Sequence, residues 1–167
     1  SIIPELQWSE YVLKPAESAG AHKTFRTTST EQVQHLYEDE FGSNQVVMLQ
    51  EFAPEVAEEG EWSFIFIGGQ YSHAALKKPG PSAWKVSVLA NPKDKPELWM
   101  VEEATQIFTQ GVALLKEMPL YCRVDAIRSN NRLVLMEFEL IEPFLFPQID
   151  PESCSRLADA FCKLCLA

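Results

Sequence analysis

The chain has 167 residues, 46% of them hydrophobic, and carries a formal net charge of −10 at pH 7. That length supports one full core or two small lobes, and the charge excludes a protein whose main task is holding nucleic acid, because such binding runs on Lys and Arg neutralising phosphates. The longest apolar runs, FIFIGG and RLVLMEFELI, stop well short of the roughly 18–20 residues that span a bilayer, so no transmembrane helix or signal peptide is expected.

In chain order, residues 8–14, WSEYVLK, read as a strand ending on Lys14, and PAESAGAHKTFRTTS as a small, polar loop. Because the first residue is Ser and a strand begins by Trp8, the chain is expected to be a piece of something longer. Ser29 stands three before Gln32 in a capping box, and Val33, Leu36 and Tyr37 extend an apolar stripe, which predicts a helix to about Glu40. NQVVMLQEF is expected as a buried strand running into an acidic linker at 53–61. EWSFIFIGG and QYSHAALKK alternate about Gly68 and Gly69, a hairpin signal, and SAWKVSVLA is a candidate third strand. From Pro96 to about Glu117, Leu98, Val101, Ala104, Ile107, Phe108, Val112 and Leu115 fall at helical spacing, with Pro119 beyond.

The segment CRVDAIRSNNRLVLMEFELIEP, residues 122–143, is a second hairpin, and PESCSRLADAFCKLCLA a closing helix. Cys154, Cys162 and Cys165 recur at offsets of eight and eleven on one helix face, expected to be the core-facing one. A zinc site wants a fourth ligand and a turn between its cysteines, so they read as buried free thiols, which suit a cytoplasmic, reducing compartment. Antiparallel hairpins mixed with helices make an α+β chain, with the acidic linker as the crossing point between two sheets.

The second hairpin carries the chemistry. Glu137 and Glu139 share one face of their strand while Met136, Phe138 and Leu140 take the other. Arg123 and Asp125 share a face for the same reason. A two-residue turn at Asn130-Asn131 would set Asp125 on the face opposite Glu137, whereas a loop of three or five residues brings them together; the odd loop is expected. Three converging carboxylates raise a pKa or recruit a cation, and hard oxygen ligands suit Mg²⁺ or Mn²⁺. On the pattern alone a solvated edge strand, with Arg123 as salt-bridge partner, stays open beside the metal. Lys14 with the loop from Ser18 to Thr24, Lys77 at a strand end and Lys85 add cations suited to phosphates; together they describe a metal-bridged nucleoside triphosphate.

These pieces resemble, in order, the ATP-binding part of the ATP-grasp superfamily, close to the glutathione synthetase type. VLKPAESAGAHKTFR resembles the lysine strand and phosphate-covering loop, VVMLQEFAPEV the interlobe hinge, EGEWSFIFIGGQYSHAALKKPG the glutamate strand and hairpin, and YCRVDAIRSNNRLVLMEFELIEPFLF the metal-binding hairpin. The resemblance implies two antiparallel sheets with flanking helices and the nucleotide site between them. It divides the chain into a lysine-loop and hinge lobe, 1–52, and a lobe of glutamate hairpin, long helix, metal hairpin and final helix, 53–167.

It further implies ATP and Mg²⁺ (or Mn²⁺) as cofactors. Lys14 and Lys77 would bind the phosphates, the backbone of Gln50, Glu51 and Phe52 the adenine, and Glu61 the ribose hydroxyls. Asp125, Glu137 and Glu139 would hold the metal, with Glu137 bridging, and Arg123 would steady the transferred phosphoryl group or tetrahedral intermediate. Two positions depart from the family: Glu139 stands where many members have Asn, and Lys85 where a substrate-binding Arg is common, without its bidentate fork. The implied activity is ATP-dependent carboxylate-amine (or thiol) ligation through an acylphosphate, releasing ADP and phosphate. A nucleotide-binding module without catalysis, or a kinase on the same scaffold, are the alternatives. The implied partners are small-molecule carboxylate and amine substrates, and an upstream domain or a second copy of the chain to complete the site.

His22 and His35 read as solvent-exposed, and His73 as structural or substrate-facing. The scattered Trp8, Trp62, Trp84 and Trp99 read chiefly as packing residues.

Overall fold

The structure, a computed structural model, describes residues 6–17, 22–42, 44–78 and 90–166. Lys85, Trp84, residues 18–21 and nearly all of the candidate strand at 82–90 lie outside them. The chain divides into two compact units, Ser1–Pro54 and Glu55–Ala167.

In the first unit, β1 (Tyr11–Pro15) is the centre of a three-stranded antiparallel sheet, flanked by β2 (Phe25–Thr27) and β3 (Val47–Glu51). The segment expected as one polar loop therefore contains a strand. Arg26 accounts for part of it, its Nη2 donating to Glu10 Oε1 at 2.7 Å across the sheet. The Ser29 hydroxyl accepts from the Gln32 backbone N–H at 3.3 Å and starts α1 (Thr30–Leu36), which loosens into a π-turn over Tyr37–Phe41 before Gly42 ends it. Tyr11, Leu13, Val33 and Phe41 are buried. β3 is not the buried strand expected: it leaves Met48 45% exposed, and among the described residues it is an outer strand paired only with β1.

In the second unit, residues 53–61 are not a plain linker, since Glu55–Glu58 form a single helical turn, α2. Then β4 (Glu61–Ile67) and β5 (Gln70–Lys77) form the expected hairpin, with Gly68 and Gly69 supplying the two positive-φ turn positions. With β6 (Tyr121–Ser129) and β7 (Arg132–Glu139) they make a four-stranded antiparallel sheet ordered β5-β4-β6-β7. Even-numbered side chains of β4 and β6, Trp62, Phe64, Phe66, Cys122, Val124 and Ala126, build the main core with Met100, Ala104 and Phe108 of α3 (Leu98–Val112). The Phe66 and Phe108 rings stack 4.2 Å apart. Helix α3 ends five residues short of the expected Glu117; beyond it Leu114 is 88% exposed.

The opposite face of the same sheet carries Ile65, Ile67 and Ala75, covered by Phe146, Ile149 and two residues of α4 (Ser153–Leu166), Leu157 and Ala160. Because α4 docks through Ser153, Leu157 and Ala160, its cysteines point elsewhere: Cys154, Cys162 and Cys165 are exposed, correcting the expectation of buried thiols. Only Cys122 is buried. No helix among the described residues is long and apolar enough to cross a membrane.

Candidate functional site

Pleating of the four-stranded sheet sends one set of side chains away from the main core, and it is polar at one end. Glu61 stands opposite Lys77, Ser63 opposite Asp125, and Ile65 opposite Arg123. Gly60 sets the entry, with φ +111° and so little room that a Cβ would collide with the Lys77 carbonyl.

The acidic hairpin reaches this face by a route the sequence reading did not choose. Its turn is the two-residue Asn130-Asn131 turn, with φ of 50° and 59°, and not the odd loop expected. Ser129 to Ala126 pair in the register that turn dictates, up to Ala126 opposite Leu135. A bulge then inserts Met136, so Asp125 lies opposite Glu137 and Arg123 opposite Glu139. The convergence was expected and occurs, with the parity corrected inside the strand.

Asp125 is the hub and is fully buried. Its Oδ1 accepts from the Ser63 hydroxyl at 2.7 Å and Arg123 Nε at 2.9 Å. Its Oδ2 accepts from Arg123 Nη2 at 2.9 Å and from the Lys77 ammonium at 2.8 Å. Lys77 also pairs with Glu61, and Arg123 with Glu139, while Arg123 Nη1 donates to the Phe144 carbonyl at 3.1 Å.

Burial alone would raise the Asp125 pKa, but Lys77 and Arg123 outweigh it and hold the carboxyl below its usual range. Burial likewise opposes the Lys77 charge and is overcome by Glu61 and Asp125, so its pKa is raised. Glu61 is raised by burial, against Lys77 and with help from Asp125. Glu139 is pushed up to about 7 by burial, Arg123 opposing and Asp125 adding.

Oxygens of Asp125, Glu137 and Glu139 lie within 4.8 Å of one another. Among the described residues, the cations Lys77 and Arg123 stand with the carboxylates Glu61, Asp125, Glu137 and Glu139 on this face. The donor set therefore fits a hard divalent ion. Ser63 was missed by the sequence reading, although strand alternation from Glu61 places it on the same face. His73, also on this face, is 6% exposed and structural: its Nε2 donates to the Leu145 carbonyl at 2.8 Å and its Nδ1 faces the Ser72 hydroxyl at 2.9 Å.

The other expected residues belong to the first unit. Lys14 lies in β1 opposite Met48, and Gln50 and Glu51 close β3 opposite Val12 and Tyr11. The Phe52 N–H donates to the Glu10 carbonyl at 3.1 Å, and the Arg26 guanidinium lies 3.6 Å from the centre of the Phe52 ring. Pairing with β1 thus fixes Gln50 and Glu51, and the Glu10 hydrogen bond and the Arg26 stack fix Phe52.

This architecture is the ATP-grasp fold. A D-cycloserine synthetase is similar with a TM-score of 0.80 at 21% identity, over 97% of this chain and 58% of that one. The D-alanine-D-alanine ligase of Bacillus anthracis, in complex with ATP, gives 0.70 at 14% identity over 96% of this chain and 53% of that one. The Coxiella burnetii ligase gives 0.63 at 16% identity over 98% and 46%. The chain thus spans about half the length of these proteins. No protein-family model matches it, and no curated protein matches it significantly.

Proposed function

We propose that this chain is the ATP- and magnesium-binding region of a carboxylate-amine or carboxylate-thiol ligase. The observation that carries the reading is the convergence of Asp125, Glu137 and Glu139 beside Lys77 and Arg123, on a fold similar to that of ATP-dependent ligases. In this reading Asp125, Glu137 and Glu139 hold Mg²⁺ (or Mn²⁺). The ion would supply charge neutralisation between the β- and γ-phosphates of ATP.

Lys77 and Lys14 bind phosphate oxygens, the backbone of Gln50, Glu51 and Phe52 contacts the adenine, and Glu61 the ribose hydroxyls. In this reading Arg123 stabilises charge developing on the transferred phosphoryl group. Asp125 grips it bidentately, and Glu139 and the Phe144 carbonyl each take one further N–H, so four of its five donors hold the guanidinium pre-aimed rather than floppy. The substrate carboxylate is phosphorylated to an acylphosphate, which an amine or thiol attacks, releasing phosphate. No side-chain nucleophile is needed. Titration with ATP, with and without Mg²⁺, tests the binding half; absence of metal-dependent binding overturns the reading. ADP release that needs both a carboxylate and an amine separates ligation from phosphoryl transfer to a hydroxyl.

A further inference from the structure

A carboxylate has about four lone-pair directions, and all four on Asp125 are taken, by Ser63, Lys77 and two nitrogens of Arg123. For Asp125 to bind a metal ion directly, one donor must leave. The three residues are not equally able to do so. Arg123 is forked onto both oxygens and tied to Glu139 and the Phe144 carbonyl. The Ser63 hydroxyl sits on a short side chain of a central strand, directly opposite Asp125, to which it donates at 2.7 Å. Lys77 has a flexible four-carbon stem, a single contact to Asp125, and a second anion, Glu61, already bound.

We propose that Lys77 is an exchangeable counter-ion: its ammonium neutralises Asp125 until a divalent ion takes over that carboxylate, whereupon Lys77 stays on Glu61 and turns to the nucleotide phosphates. This rests on the metal reading above and gives Glu61 a role in positioning Lys77. Asp125 is kept paired throughout, so the buried charge is never left alone, which would be strongly unfavourable. Metal and nucleotide binding become coupled, because the ion's arrival releases the cation that the phosphates need.

The test uses the 167-residue chain, Mn²⁺ as the probe, and paramagnetic resonance of free Mn²⁺ without nucleotide at pH 8. Lys77→Met removes a positive charge 2.8 Å from a ligand oxygen and is expected to tighten Mn²⁺ binding by roughly tenfold or more. Glu61→Gln leaves Lys77 wholly on Asp125 and is expected to weaken it. In the presence of metal, Lys77→Met weakens ATP binding, so the two affinities move in opposite directions. A lysine of merely structural importance would lower both.

The double variant Lys77→Met, Glu61→Gln removes the pair together and guards against misfolding; it too is expected to bind Mn²⁺ more tightly than the native chain. If the native chain binds Mn²⁺ and neither the single nor the double Lys77 variant binds it more tightly, the exchange is overturned while the metal reading stands. If no variant and not the native chain binds Mn²⁺, the metal reading falls and the exchange with it.

Discussion

Asp125 lies directly opposite Glu137 across β6 and β7, although the turn joining those strands would by itself set Asp125 opposite Met136. The turn and the site thus make separate demands, reconciled by one inserted residue. The turn demand can be tested alone. Asn131 holds φ of 59°, a conformation glycine adopts without a Cβ penalty. Asn131→Gly is therefore expected to stabilise the chain by up to about 1 kcal/mol, read as a rise in the urea midpoint. Mn²⁺ affinity stays unchanged, because the register beyond Ala126 is kept by the bulge.

Glu139 must be ionised to serve as a metal ligand, yet burial, with Asp125 adding against Arg123, lifts its pKa to about 7. Metal binding below that value must displace a proton. The expected outcome is a Mn²⁺ affinity that is flat well above pH 7 and falls by about tenfold per pH unit below it, with proton uptake on removal of the metal. Glu139→Asn, the residue common in the family the hairpin resembles, removes the titrating group. Its Mn²⁺ affinity is expected to lose that step near pH 7, measured by calorimetry in buffers of different ionisation enthalpy.

Much of this arrangement was legible in the chain itself, and the reasons for the misses are specific. Period-2 alternation put Arg123 with Asp125 on one face of β6 and Glu137 with Glu139 on one face of β7, and Gly68-Gly69 announced the turn between β4 and β5. Alternation is blind to an inserted residue, however, and nothing in RLVLMEFE distinguishes Met136 as the extra one, so the right face was reached through the wrong loop. The cysteine helix failed differently. Its apolar residues surround most of the helix, so periodicity did not say which stripe would dock, and Leu157 with Ala160 won over the cysteine face. Residue types that favour carboxylate clusters were readable; the sharing of Asp125 between Lys77, Arg123 and Ser63 depends on side-chain reach and was not.

The packing behind the site makes a further prediction. Gly111 lies in α3, where helix propensity alone would make Ala more stable by about 1 kcal/mol. A Cβ at Gly111, however, would run into the Phe138 ring. Phe138 sits between Glu137 and Glu139 on β7, so displacing its ring moves the strand that carries both carboxylates. Gly111→Ala is expected to destabilise by about 1–3 kcal/mol, the usual penalty of overpacking, and to weaken Mn²⁺ binding. Gly111→Ala combined with Phe138→Leu relieves the collision and is expected to recover part of both, measured by thermal melting and Mn²⁺ titration.

His73 and Glu139, both on the sheet face, are shifted in opposite directions, with opposite consequences for stability. His73 is held neutral: burial lowers its pKa, against the hydrogen bond to Leu145 and the charge of Asp150. Its unfolded form therefore binds more protons in the window below about pH 6.5, so its contribution is present above that value and is lost on acidification. Glu139 runs the other way. Its pKa is raised from 4.5 to about 7, so the folded chain binds the extra proton, and its contribution is full below pH 4.5 and lost as pH rises through 7. In the native chain the two slopes oppose each other just below pH 6.5. Glu139→Gln is expected to expose the histidine slope, with stability falling steeply on acidification, and His73→Gln the reverse, with stability rising. Urea unfolding at half-unit pH steps, without divalent ions, reads both; parallel profiles for the two variants would contradict the assignment of charge states on this face.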